Sequence, residues 1–331
     1  MDGIATIGIA GSGPAPVAPY VGRFAPSPTG PLHFGSLVAA MGSYLRARSR
    51  QGAWLVRMED IDPLREVVGA ADQILRTLEI YGFQWDGGVM FQSHRSEAYR
   101  ETLSRLRDRG LVYPCGCSRK QLAEASCRKG LRAGVYPGTC RAREGVVANA
   151  SGRHACRVRT DDTEIFFVDR LQGEQRQVLA RDVGDFILLR ADGQYAYQLA
   201  VVVDDAAQGV TEVVRGSDLL DSTPRQIYLQ QLLGLSTPGY LHLPVAVNKA
   251  GEKLSKQTHS PPLSLRNPLP ALWLALDFLG QEPPVEILEG EVESCWQWAL
   301  ANWRLAKVPL GAATPRQAPA CGSACKVMVA G

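Results

Sequence analysis

Residues 23–36, RFAPSPTGPLHFGS, hold three prolines, two glycines and one histidine just before an amphipathic run. Pro26, Pro28 and Pro31 fix φ and remove backbone donors, so the segment holds one turn shape and cannot lie inside a sheet. Gly30 permits a tight bend, and Gly35 lets a ligand approach the backbone at the first helical turn. A helix N-terminus that follows a strand attracts phosphate, and His33 stands where it can donate to phosphate oxygens. A histidine in a Pro/Gly turn is otherwise a packed side chain. Far away, GEKLSKQ places Lys253 and Lys256 around Ser255 after a glycine. Two lysines on such a loop can neutralise charge that develops on a polyphosphate leaving group. K-x-x-K alone is also what a solvated basic loop looks like.

A third group is built from cysteine. Cys115 and Cys117 are two apart in YPCGCSRK, and GVYPGTC adds Cys140 with Tyr136 four residues before it. Cys-x-Cys followed by another Cys suits tetrahedral zinc, which would staple a segment of little periodicity. On physical grounds Cys127, His154 and Cys156 are all candidates for the fourth position, and plain buried thiols are the alternative. Cys321 and Cys325 match no pattern.

The elements that must position these groups alternate. YVGRFAPS reads as a strand ending in a turn, and LVAAMGSYLRARSRQG as a helix that puts Leu37, Met41, Tyr44 and Leu45 on one face. AWLVRMEDID is a second strand, GAADQILRTLEIYGF a helix closed by Gly82, and YRETLSRLRDRGL another helix. That order predicts an α/β fold with a doubly wound, Rossmann-like parallel sheet. Five of the eight cysteines fall between Pro114 and Arg181, as in an inserted module. DFILLRADGQYAYQLAVVVDD then reads as two strands joined at ADGQ, which puts Tyr197 on a strand. VTEVVRGSDLLDSTPRQIYLQQLLG follows as strand, turn and helix. Arg23 and Arg215 come at strand ends, and Glu59 ends the second strand, facing the same crevice if the sheet is parallel.

At 331 residues the chain has room for two domains or one with an insertion. Hydrophobic residues make up 45% and charged residues 21%, ordinary for a globular protein. Thirty-six cations against 33 acids leave +3, which permits a nucleic-acid partner without arguing for one. No apolar run reaches bilayer length, and the Gly/Ala/Pro-rich start lacks a basic n-region, so a cytoplasmic protein with no membrane partner is expected.

PSPTGPLHFGS and KLSK resemble the HIGH and KMSKS motifs of class I aminoacyl-tRNA synthetases, and RFAPSPTGPLHFG with RMEDID is closer still to their glutamate-specific branch. The resemblance covers residues 20 to about 303, with Ser36 where the final motif histidine would be. It implies activation of L-glutamate by ATP with Mg²⁺ to glutamyl-adenylate, followed by transfer to tRNA. It places His33, Lys253 and Lys256 in catalysis and His33, Gly35, Ser36, Ser255 and Lys256 on ATP. Arg23, Phe24, Ala25, Pro26, Ser27, Glu59, Tyr197 and Arg215 are then the amino-acid site, where a substrate with two carboxylates and an ammonium needs fixed guanidinium and an acidic cage.

Cys-x-Cys…Tyr-x-x-x-Cys resembles the zinc site of glutamyl-queuosine tRNA(Asp) synthetases and implies structural Zn²⁺ on Cys115, Cys117, Tyr136 and Cys140, with Cys127 as the substitute for Tyr136. Only 75 residues follow Lys256, too few for a usual anticodon-binding domain and the helices that join it. That family transfers glutamate to queuosine, the wobble base of aspartate tRNA, which is the expected partner of a monomer. A glutamyl-tRNA synthetase, whole or paired with a separate anticodon-binding chain, is the first alternative, and a catalytically silent tRNA-binding paralogue the second. The expected organisation is an extension (1–19), the first half of the catalytic domain (20–113), a zinc-bearing insertion (114–180), the second half (181–247), the lysine loop with a short helical region (248–310), and a tail (311–331).

Overall fold

Strand β1 (Val21–Phe24) stops where Pro26 and Pro28 remove the donors a ladder needs. Helix α1 (Phe34–Arg48) carries the chain back to β2 (Ala53–Met58), which pairs in parallel with β1, Val21 against Ala53. Helix α2 (Ala70–Ile80) leads to β3 (Met90–Phe91), parallel to the end of β2. Helix α3 (Ser96–Asp108) completes this half. The structure, a computed structural model, describes residues 19–142, 153–247 and 261–310, with the backbone of 313–315.

The next stretch is antiparallel. Strand β4 (Val112–Cys115) is followed by α4 (Arg119–Arg128) and pairs with β5 (Ala155–Val158). Strands β6 (Glu164–Asp169) and β7 (Gly173–Val178) form a hairpin, and α5 (Leu179–Asp182) leads to β8 (Ile187–Leu189). Strand β8 pairs antiparallel with β5, so this antiparallel sheet extends past residue 180, where the expected insertion was to end.

Parallel pairing then resumes. Helix α6 (Tyr197–Ala207) precedes β9 (Glu212–Gly216), and α7 (Thr223–Leu233) crosses to β10 (Gly239–Leu243), parallel to β9. Strands β1 and β9 begin side by side, joined where the Thr211 amide donates to the Val21 carbonyl (2.9 Å). Short β11 (Val245–Val247) follows, then α8 (Leu269–Phe278) and α9 (Val292–Asn302). Both helices pack against the first half: Trp296 of α9 meets Tyr44 and Phe83, which in turn pack on Trp54. Helix α1 also lies close against β10, where a Cβ on Gly42 would come 2.4 Å from a Leu243 methyl. No helix among the described residues is long and apolar enough to cross a membrane.

One expectation fails. YQLAVVVDD is helix α6, not a strand, and Tyr197 opens that helix. The ADGQ turn is present, but the arm after it makes only a single bridge, Leu189 with Tyr195. Buried residues occur nearly all round α6, from Gln198 to Asp205, so its apolar run carries no helical period. Tertiary burial overrides the strand preference of three successive valines.

Candidate functional site

A cleft of about 210 Å³ opens at the C-terminal ends of β1, β2 and β9 and the N-terminus of α1. This is where an open parallel sheet leaves a crevice between its two halves. Arg23, Phe24, Ala25, His33, Gly35, Ser36, Glu59, Tyr197 and Arg215 all line it. Pro26 and Ser27 are not in its lining; the Pro26 carbonyl instead accepts from the Glu59 amide (2.9 Å) and ties the two strand ends. Lys253, Ser255 and Lys256 lie outside the described residues.

On one side of the cleft, charges compensate each other. Asp205 of α6 accepts from Arg23 Nε (3.0 Å) and pairs with Arg57 Nη1 (2.8 Å). Arg57, wholly buried, also donates to Gln208 (2.8 Å) and lies 3.5 Å from Glu59. Burial alone would raise the Asp205 carboxyl, but Arg23 and Arg57 outweigh it and hold it below the ordinary range. Glu59 goes the other way: burial raises it, and Arg57 and Arg23 only partly offset that. The neighbouring Asp204 is used elsewhere, accepting from Gln92, Arg95 and Tyr99.

A second group is built around Arg215, 5% exposed. Its Nη1 donates to the Tyr197 hydroxyl (3.0 Å), Nη2 to Thr223 Oγ1 (2.9 Å) and the Leu219 carbonyl (3.4 Å), and Nε to His242 Nε2 (3.1 Å). Every one of those acceptors is neutral. Behind it, His242 Nδ1 meets Asp169 Oδ2 at 2.6 Å. Burial, and then Arg215, hold His242 below its usual value against the pull of Asp169. Asp169 stays low despite burial because His242 and backbone amides bind its charged form. Burial raises the Tyr197 phenol, so it stays protonated beside the guanidinium.

His33 is the N-cap of α1. Its Nδ1 accepts from the Ser36 amide (3.4 Å), and Ser36 Oγ accepts from the His33 amide (2.9 Å), a reciprocal capping box. With Nδ1 accepting, the proton of a neutral ring sits on Nε2 as a donor. The chain after residue 260 returns to this point: Pro262 bridges His33, and the Leu263 amide donates to the Leu32 carbonyl (2.9 Å).

The cysteine group lies apart from the cleft. Cys115, Cys117 and Cys140 bring their sulfurs within 4.8 Å of one another, with Cys117 and Cys140 at 3.3 Å. Zn–S bonds of about 2.3 Å set tetrahedral sulfurs roughly 3.8 Å apart, so the three thiols fit a zinc ion with little movement. The Tyr136 hydroxyl is 3.6 Å from Cys115 Sγ and accepts from the Cys140 amide (2.9 Å). Cys127 is exposed, His154 is exposed, and Cys156 is buried in a different core, so none joins this group. Burial pushes the Cys117 thiol up to about 12, whereas the Cys117 amide, Arg157 and Tyr136 outweigh burial at Cys115 and lower it.

Sequence reasoning missed Arg57, Asp205, Asp169, Thr223 and His242. Arg57 stood two residues before Glu59 in the same RMEDID, and His242 is one of five histidines, in YLHLP at a strand end, the one signal that pointed to it.

Residues 20–262 match the family model for the catalytic domain of class I tRNA synthetases (E and Q). The chain is 59% identical over 300 residues to a glutamyl-Q tRNA(Asp) synthetase of Chromobacterium violaceum, covering 91% of this chain and 98% of that one. One from Aromatoleum aromaticum is 56% identical over 292 residues, 88% of this chain and 91% of the relative. Among solved structures, a glutamate-tRNA synthetase of Elizabethkingia anophelis superposes with a TM-score of 0.75 at 23% identity, over 91% of this chain and 68% of that one, which establishes the fold. A parallel sheet split around a cleft and this degree of identity agree: the chain belongs to the class I tRNA synthetases of the E and Q type, in the family of the glutamyl-Q tRNA(Asp) synthetases.

Proposed function

We propose that the protein activates L-glutamate with ATP and transfers the glutamyl group to queuosine, the modified wobble base of aspartate tRNA. The observation that carries this reading is 59% identity across 98% of a glutamyl-Q tRNA(Asp) synthetase, supported by a cleft that nine of the expected residues line.

The two sides of the cleft suit the two kinds of charge on glutamate. Arg215, charged and held among the described residues by neutral acceptors, takes a carboxylate, and Glu59 takes the ammonium. Phe24 and Ala25 wall the space between, and Tyr197 aligns Arg215. His33 Nε2–H and the amide opening α1 at Gly35 face the phosphates of ATP, which enters as its magnesium complex, with Ser36 holding the His33 ring in place through its own amide. The α-carboxylate oxygen attacks the α-phosphorus in line, the bond to the bridging oxygen breaks, and pyrophosphate leaves with that electron pair. Lys253, Ser255 and Lys256, assigned from sequence alone, balance the charge on the leaving group. A hydroxyl of the cyclopentenediol then displaces AMP at the activated carbonyl. No protein nucleophile is required.

Three thiols and Tyr136 would hold a structural zinc that staples the insertion, and metal analysis of the purified protein should find one zinc per chain. The function is tested with labelled glutamate and ATP on queuosine-containing aspartate tRNA. Label should appear on that tRNA and survive conditions that strip aminoacyl groups from the 3′ end. Label confined to the 3′ end of glutamate tRNA would select the glutamyl-tRNA synthetase alternative, and no glutamate-dependent pyrophosphate exchange would select the silent paralogue.

A further inference from the structure

Arg215 is held from behind by two side chains of other elements. His242 is its partner in the parallel pairing of β9 and β10, wholly buried, and Asp169 comes from the end of β6 in the inserted stretch. The two oxygens of Asp169 have different tasks. Oδ1 accepts three backbone amides, those of Leu171 (2.9 Å), Gln172 (2.9 Å) and His242 (3.2 Å). Oδ2 accepts only the ring Nδ1–H of His242 among the described residues (2.6 Å). With the proton fixed on Nδ1, Nε2 has its lone pair facing Arg215 Nε–H and the Thr223 hydroxyl (3.2 Å).

We propose that Asp169 and His242 are positioning residues for amino-acid recognition: the carboxylate sets the imidazole tautomer, and the neutral imidazole orients Arg215 without cancelling its charge. The inference rests on the reading of Arg215 as the site of a glutamate carboxylate. A carboxylate in place of the ring would fix the guanidinium equally well, but would already satisfy the charge that substrate must meet. The interposed ring keeps the Asp169 carboxylate one side chain away. Recognition of the amino acid is thereby tied to the hairpin of the insertion.

Asp169→Asn separates this role from packing. The three amides at Oδ1 require an oxygen there, so the new side chain must turn its NH₂ toward His242 Nδ1. The imidazole can then only accept at Nδ1, its proton moves to Nε2, and two donors face each other across the contact with Arg215. In the full-length protein labelled with ¹⁵N-histidine, the His242 signal should change from the Nδ1–H to the Nε2–H pattern. The KM for glutamate in pyrophosphate exchange should rise by about 10- to 100-fold, the worth of one hydrogen bond to a charged group, while the KM for ATP stays within about twofold. An unchanged KM for glutamate with the tautomer flipped would overturn the proposal, as would a raised KM with Nδ1–H retained. Should Asp169→Asn not fold, the unsubstituted protein still decides, because Nε2–H on His242 there overturns the proposal. The proton position is read without substrate. Absence of any glutamate-dependent exchange by the unsubstituted protein would therefore count against the assignment of Arg215 to glutamate, and not against the relay.

Discussion

The two faces of the cleft both carry buried arginine, and they treat it in opposite ways. Arg23 and Arg57 share Asp205 and stand near Glu59, so positive and negative charges balance within a few ångströms. Arg215 has, among the described residues, no carboxylate within ion-pair distance, only a phenol, a hydroxyl, a carbonyl and an imidazole. A guanidinium whose charge is matched in the fold is a framework element; one with only neutral partners retains its attraction for an arriving anion. Removing an anion should therefore damage folding on the first face, and removing the cation should damage binding on the second.

The largest effect is expected on the framework. Asp205→Ala leaves two buried guanidinium groups without their shared carboxylate and should cost about 3–5 kcal/mol of stability in urea denaturation. A loss below 1 kcal/mol would break the distinction between the two faces. Lys256→Ala tests the charge proposed for the leaving group. It should slow pyrophosphate exchange by about 100- to 1,000-fold with glutamate affinity little changed. Arg215→Ala should weaken glutamate binding by about 2–4 kcal/mol in calorimetry, with a smaller loss of stability than Asp205→Ala. The reverse ranking would show that Arg215 is framework too.

Acid pH gives the mildest test. Glu59 is raised by burial, so it takes up a proton above the ordinary carboxylate range and glutamate affinity should fall by about tenfold per pH unit below that point. Asp205 is lowered in the fold; its contribution to stability is present above the ordinary carboxylate pKa and is lost only as pH falls through the depressed value. Binding should therefore fail at a higher pH than folding. Calorimetry and circular dichroism over one acid series compare the two midpoints.

Much of this arrangement could be read from the chain. Strand-ending prolines, the glycine-closed helices and the first parallel strands follow from local rules, and nine of the eleven expected amino-acid and phosphate residues that fall in described segments line the cleft. The parts that were not legible have physical reasons. Strand β6 keeps Ile165, Phe167 and Asp169 inside, but its outer face shows Phe166 and Val168, so apolarity does not alternate along it. In α6 the apolar residues cover too much of the circumference to give a period. Asp169, Asp205 and His242 act through residues far away in sequence, and no local spacing encodes that.

Asp204 and Asp205 carry one further consequence, for how such a chain can change length. Successive helical residues point about 100° apart, which lets Asp204 reach α3 while Asp205 reaches Arg23 and Arg57. Deleting or adding a single residue between Tyr197 and Asp204 would swing both carboxylates away from their partners at once. The turn before the helix, at Ala191–Gln194, lacks that constraint. Insertions and deletions in descendants of this chain should collect in the turn and spare the helix.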